Sequence, residues 1–190
     1  MSPSKPQFEF HPATADRWSD LETLFGQRGA CGGCWCMTWR LPRSEFNAGK
    51  GDANRRALQK LVKQGPAPGV LAYADYKPVG WCAVAPRSAY PALERSRILQ
   101  PIDDKPVWSI SCLFVTKSHR RLGLSSRLID AATKFAKTQG AKIVEGYPQI
   151  VDSELPAPFV WTGLNSSFTR AGFTEAARRS PKRPIMRRAI

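Results

Sequence analysis

The residues Cys112-Leu113-Phe114-Val115-Thr116-Lys117-Ser118-His119-Arg120-Arg121-Leu122-Gly123-Leu124-Ser125-Ser126-Arg127-Leu128 run from an apolar strand through a basic turn into a helical pattern. Small residues at such a turn let several backbone N–H groups converge on one point, where the positive end of the following helix also points. Phosphate is the natural occupant of that point. The rival phosphate motifs fail: no Gly-x4-Gly-Lys-Ser/Thr occurs, and the dinucleotide Gly-x-Gly-x-x-Gly is absent from the turn. A plain surface turn with solvated arginines is the bland alternative.

A second unusual group is Cys31-Gly32-Gly33-Cys34-Trp35-Cys36-Met37-Thr38-Trp39-Arg40. Cys-x-x-Cys is half of a common zinc site, but no second Cys or His pair follows at workable spacing, so no metal is expected. Aromatic packing under a loop is the simplest use of these residues. The five cysteines, an odd number, are expected to be reduced thiols, with Cys82 and Cys112 as small core residues inside apolar runs.

The elements that must position these groups follow from periodicity and punctuation. Gln7 to His11 alternates like a strand, and Thr14 or Asp16 can open a helix through Trp18, Leu21, Leu24 and Phe25 to Gly26. Asp52 opens another, closing at Gly65. Val70–Ala74 and Val79–Val84 form a hairpin across Asp75-Tyr76-Lys77-Pro78. A long connection, Ser88 to Lys105, leads to a strand from Val107 to Val115, the basic turn, and a helix to Gly140. In that helix Leu124, Leu128, Ala132 and Phe135 share one face, and Arg127, Asp130, Lys134 and Lys137 the other. It therefore offers a ligand its N-terminus rather than its flank. Strand Lys142–Tyr147, a loop with Pro148, Pro156 and Pro158, a helix over Asn165–Ala171, and strands Phe173–Arg178 and Arg183–Ile190 complete the chain. The order is α+β: a mixed, mostly antiparallel sheet flanked by helices, with one parallel strand–helix–strand crossover.

The bulk properties narrow the class. At 190 residues the chain fits one domain, expected over 7–190 after a flexible polar start at 1–6. No apolar run approaches the roughly 20 residues of a membrane span, and Met1 to Pro6 has no signal-peptide core, so a cytoplasmic home is expected. The excess of 29 Lys+Arg over 15 Asp+Glu, net +14, suits a multiply phosphorylated ligand as well as it suits nucleic acid. The densest basic stretch, Arg178 to Arg188, is broken by two prolines and an apolar pair. It reads as a solvated hairpin rather than a nucleic-acid arm.

Arg120-x-x-Gly123-x-Ser125 after a strand, together with a late helix from Asn165 ending in Gly172-Phe173, resembles the GNAT superfamily of acetyl-CoA-dependent N-acyltransferases. The order of elements agrees over roughly residues 7 to 190. Ser125 stands where the motif has Gly or Ala. The resemblance implies acetyl-CoA, or another acyl-CoA, as co-substrate, and an amine as acceptor, with transfer direct between them. It places the backbone of Leu113, Phe114 and Val115 along the pantetheine arm and N–H groups from Arg121 to Ser126, including Gly123, Leu124 and Ser125, around the pyrophosphate. Arg120 and Arg121 stand near the phosphates, and Asn165 and Phe168 beside the thioester.

The resemblance also exposes two departures. Ser109 occupies the usual base position and Phe168 the usual tyrosine position, and neither is a useful acid or base. Substitutes are Glu145 as base, with Tyr147 two residues on as proton donor, and Glu94 as a second base. An arginine ion pair is the alternative for both carboxylates, and packing for Tyr147. Around the acceptor the family layout implies Trp35, Trp39, Arg40, Trp81 and Tyr90, an aromatic wall with one charged anchor, closed by Trp161 and Thr162 from the other side. The Cys-Trp-Cys-Met segment is similar to one in a bacterial subgroup of the family whose acceptors are unassigned. A small-molecule amine is the leading acceptor. Acetylation of a protein or ribosome-associated amine, and an acyl-CoA sensor without turnover, are the alternatives. A monomer or homodimer is expected, without membrane or nucleic-acid partners.

Overall fold

A computed structural model describes residues 7–152, 156 and 159–190; the start at 1–6 and Pro158 lie outside the described residues. Seven strands form one sheet in the order β1-β2-β3-β4-β5-β7-β6. They are β1 (Glu9–Pro12), β2 (Gly69–Ala74), β3 (Lys77–Pro86), β4 (Trp108–Val115), β5 (Ile143–Gly146), β6 (Thr174–Arg178) and β7 (Pro184–Ala189). Every neighbouring pair is antiparallel except β4 and β5. The helices are α1 (Trp18–Phe25), α2 (Arg43–Ala48), α3 (Asp52–Gln64), α4 (Pro91–Glu94), α5 (Leu124–Thr138) and α6 (Asn165–Arg170).

Both faces of the sheet are covered, so its central strands read as nearly continuous apolar runs. On one face α5 buries Leu124, Leu128, Ile129, Ala132 and Ala136 against β2–β5, with Phe168 of α6 and Phe173 beside them. On the other face α1, α3 and the segment around Trp35–Met37 cover Leu71, Tyr73, Trp81 and Cys112. A third cluster, with Tyr90, Leu93, Leu99 and Tyr147, lies under the connection between β3 and β4. Among the described residues no helix is long and apolar enough to cross a membrane.

The expected order of elements is present, with two local differences. A short helix, α2, interrupts the segment read as a glycine- and cysteine-rich connection. The other lies in the last strand: β7 sits between β5 and β6. That position turns Arg187 inward, so part of the basic stretch read as solvated is held at an ion-paired strand position.

The feature that creates a site is the separation of β4 from β5. Their parallel pairing covers only Trp108↔Val144 to Ile110↔Gly146. Ile110 and Cys112 then pair with the adjacent residues Val84 and Ala83, leaving Ser111 as a bulged residue. Beyond it β4 keeps β3 as far as Val115 and loses β5. Phe168 packs edge-on against Phe173, centroids 5.2 Å apart, and fills the wedge beneath Gly146. A Cβ at Gly146 would overlap the Phe168 ring. Gly146→Val should therefore lower stability by about 2 kcal/mol through overpacking, a fall in Tm of roughly 4–8 °C in a thermal melt.

Candidate active site

The wedge between β4 and the chain beyond β5 opens into a cleft of about 970 Å³ that passes from one side of the sheet to the other. Its edge is the outer side of β4. The Thr116 amide bonds to the Val79 carbonyl, so alternation turns the Leu113 and Val115 backbone groups away from β3 and toward the cleft. The Leu113 amide donates to the Trp161 carbonyl at 2.7 Å. The Val115 carbonyl accepts from Arg120 Nε at 3.1 Å. Among the described residues, no backbone partner is recorded for the Leu113 carbonyl or the Val115 amide.

At one end of the cleft the basic turn feeds α5. Arg121 and Gly123 both have positive φ, 65° and 74°, with an extended Arg120 before them. Such a sequence of backbone conformations turns successive N–H groups inward as a nest. No side chain caps α5, and its first turn carries no acidic residue, so the N–H groups of Leu124, Ser125 and Ser126 are left without intrahelical acceptors. Nothing lies within 4 Å of where a Gly123 Cβ would project. An open, uncapped helix start with arginines around it fits a pyrophosphate.

The expected donor-side residues Leu113, Phe114, Val115, Arg120, Arg121, Gly123, Leu124, Ser125 and Ser126 all line this cleft. Asn165 and Phe168 do not. Phe168 is fully buried core, and the Asn165 side-chain oxygen is buried with no hydrogen-bond partner among the described residues. Ser166, Ser167 and Arg170 of α6 line the cleft instead, a set the motif did not point to.

The proposed acid–base residues lie elsewhere. Glu145, 1% exposed, accepts from Arg87 Nη1 at 3.2 Å and Tyr147 at 2.7 Å on one oxygen, and from Arg187 Nε at 2.7 Å on the other. Tyr147 also meets Ser109 Oγ at 2.7 Å and accepts from Arg87 at 2.7 Å. Glu94 accepts from Arg87 Nε at 2.7 Å. None of these six residues lines the cleft; they form an internal network beneath the β3–β4 connection. Burial pushes the Tyr147 hydroxyl well above its ordinary range, and the neighbouring Glu145 adds to this. Burial alone would lower the Arg87 guanidinium; Tyr147, Glu94 and Glu145 outweigh it and raise its pKa. The network ends at Asp103, whose carboxyl Arg187 holds at about 2.

Of the expected acceptor residues, Trp39 and Trp161 line the cleft, and Thr162 does not. Trp35 is buried, stacked on Trp18 at 6.1 Å. Trp81 is fully buried and donates to Cys36 Sγ at 3.0 Å. Arg40 lies over the ring of buried Tyr90, 4.4 Å from its centroid, and donates to its hydroxyl. The rest of the wall comes from Cys31, Cys34, Cys36, Thr38 and Cys112. Among the described residues no group of three or more His, Cys, Asp and Glu side chains could hold a metal.

The sequence pattern of the acetyltransferase (GNAT) family matches residues 35–150, which include the cleft edge, the turn and α5. The chain belongs to the GNAT acetyltransferase family. Acetyl-CoA is therefore its donor. Solved GNAT structures share the fold at low identity. An acetyltransferase of Listeria monocytogenes superposes with a TM-score of 0.57 at 10% identity over 100% of this chain and 99% of that one. The PaiA N-acetyltransferase of Thermoplasma acidophilum, solved with coenzyme A, gives 0.52 at 12% identity over 97% and 99%. A polyamine N-acetyltransferase of Drosophila melanogaster gives 0.55 at 11% identity over 97% and 100%. No curated protein matches the sequence.

The internal network generates a clear expectation. Glu145→Gln leaves buried Arg87 and half-buried Arg187 short of a counter-charge and should cost about 3 kcal/mol of stability, read as a lowered Tm. The pH dependence of turnover should stay as in the parent protein. A lost alkaline or acidic limb in the pH profile would instead make Glu145 part of the chemistry.

Proposed function

We propose that residues 7–190 act as one domain that transfers an acetyl group from acetyl-CoA directly to an amine of a small molecule, as a cytoplasmic monomer or homodimer. The observation that carries this reading is the shared cleft: an uncapped, basic helix start at one end and a free strand edge leading away from it. In this reading the amides of Leu124, Ser125 and Ser126 hold the pyrophosphate, and Arg121 raises the local positive potential. The Val115 amide and Leu113 carbonyl continue the sheet onto the pantetheine arm as an added strand. Arg120 acts through the Val115 carbonyl and fixes the turn against β4.

When bound, acetyl-CoA supplies an acyl carbon already activated as a thioester. The chain then has three tasks: to hold that carbon at the free edge, to exclude water, and to present a neutral nitrogen to it. The cleft is closed toward the sheet by Cys112 and Phe114 and on the far side by Trp161. Glu145, Tyr147 and Glu94 serve as an internal brace for β5 and the β3–β4 connection. The nitrogen thus reaches the cleft already deprotonated by solvent, and the departing sulfur needs little help, since a thiol is only weakly basic. Support for a CoA ligand on this fold comes from the Thermoplasma structure solved with coenzyme A.

The reading is tested by titrating acetyl-CoA calorimetrically into the parent protein and into Gly123→Trp. A side chain at Gly123 meets no protein atom within 4 Å and stands on the turn that would hold the phosphates, so binding should be lost while the melting profile shows a folded protein. Retained binding would exclude the cradle as the phosphate site. Binding by the parent protein with no acetylated product from any amine would favour the acyl-CoA sensor.

A further inference from the structure

We propose that the acceptor is a weakly basic aromatic amine, one whose nitrogen is already unprotonated near neutral pH. The inference rests on the acetyl-transfer reading above and narrows it. Away from the cradle, the cleft is walled by Cys34, Cys36, Cys112, Trp39, Phe114 and Trp161. The Trp39 and Trp161 rings lie 5.8 Å apart and are tilted by 36°, packing against each other as one aromatic surface on which an aromatic ligand can stack. Phe114 meets Phe25 edge-on at 5.8 Å and is held as a third aromatic wall.

Among the described residues this wall contains no Asp, Glu, Lys, Arg or His side chain. The Cys112 thiol is held well above its ordinary range by its hydrogen bond with Cys36 and by burial, and burial raises Cys34. Charged groups close to this end are engaged elsewhere: Arg40 on Tyr90, Glu94 on Arg87, and Glu145 on Arg87 and Arg187. Asp152, exposed on the cleft rim, pairs with Lys182 at 2.6 Å. The remaining titratable lining groups, His119, Arg120, Arg121 and Arg170, belong to the cradle and α6, and the His119 ring is tied to Thr116 and Ser118. An ammonium entering this wall would lose its hydration with no carboxylate in the wall itself to replace it among the described residues, Asp152 lying out on the rim with Lys182. A neutral arylamine meets no such penalty.

The same property suits a cleft wall without a base. The nitrogen lone pair forms the amide C–N bond as the thioester C–S bond breaks. Sulfur keeps the bonding pair, and one nitrogen proton ends on that sulfur, so no net proton is exchanged. An amine that is neutral beforehand needs no side chain to take a proton from its ammonium form.

The experiment measures acetylated product by mass spectrometry with acetyl-CoA and p-anisidine, benzylamine, spermidine or kanamycin, beside calorimetric binding of acetyl-CoA. The expected result is a kcat/KM for p-anisidine at least about 100-fold above those for spermidine and kanamycin. It should be flat between about pH 6.5 and about pH 8.5, whereas any benzylamine rate should rise about tenfold per pH unit as its neutral fraction grows. Trp39→Ala should raise the KM for p-anisidine about tenfold without weakening acetyl-CoA binding, and Trp39→Phe should restore it. Trp161→Leu repeats the test on the other ring of the pair. Preference for spermidine or kanamycin, acetyl-CoA binding without p-anisidine turnover, or a p-anisidine rate that climbs with pH would each overturn the acceptor assignment. Failure of acetyl-CoA to bind at all would instead overturn the donor reading beneath it.

Discussion

β4 keeps β3 as a hydrogen-bonded partner as far as Val115 but loses β5 after Ile110, and the rest of the molecule is arranged around that loss. Buried backbone polar groups must find partners, so a strand edge opened inside a sheet is costly unless something completes it. The chain completes part of it: Trp161 takes the Leu113 amide, and Arg120 reaches back to the Val115 carbonyl. The Leu113 carbonyl and Val115 amide between those two contacts are what remains for a ligand that pairs as a strand. The bulge at Ser111 is the local device that starts the separation, and Phe168 under Gly146 is the wedge that maintains it.

A wedge of this kind tends to close, and the buried polar network opposes closure from the other face. Glu145 of β5 joins Arg87 at the end of β3 to Arg187 of β7, while Tyr147 reaches Ser109 of β4. Three strands and the long β3–β4 connection are thereby fixed in one register. Burying this many charges is not in itself stabilising. Its physical value lies in direction, because each hydrogen bond admits one geometry where apolar packing admits several. The residues with the strongest acid–base character in this part of the chain thus hold the cleft's shape from outside it.

The basic turn and α5 were legible in the sequence because their signals are local, whereas Asn165 and Phe168, expected beside the thioester, do not line the cleft. Arg120, Gly123 and Ser125 lie within one short turn, and the periodicity of α5 follows from its own side chains. The acceptor side was not, because it depends on which face of the sheet each residue takes. Glu145 and Tyr147 share a face, as their spacing requires, but that face lies under Tyr90 and Leu99 rather than in the cleft. Trp35 and Trp81 sit beside Trp39 in sequence or across the sheet, yet both are buried beneath the wall Trp39 forms. Cys36 follows Trp35, and both adopt positive φ, a conformation that sequence composition did not suggest for two non-glycine residues in a row. That local turn carries Cys36 to the cleft and Trp35 to the core. The position of β7 between β5 and β6 was equally hidden, since its partner is set by long-range pairing.

The central claim is that acetyl-CoA completes the free edge of β4 and the open start of α5. Amide hydrogen exchange, followed with and without acetyl-CoA, tests it most directly, because it reads individual backbone N–H groups. The account predicts new protection at Val115 and across Gly123 to Ser126, with little change at Leu113, whose amide already has a partner. Binding of acetyl-CoA with protection confined to other segments, and none at Val115 or the α5 start, would contradict it.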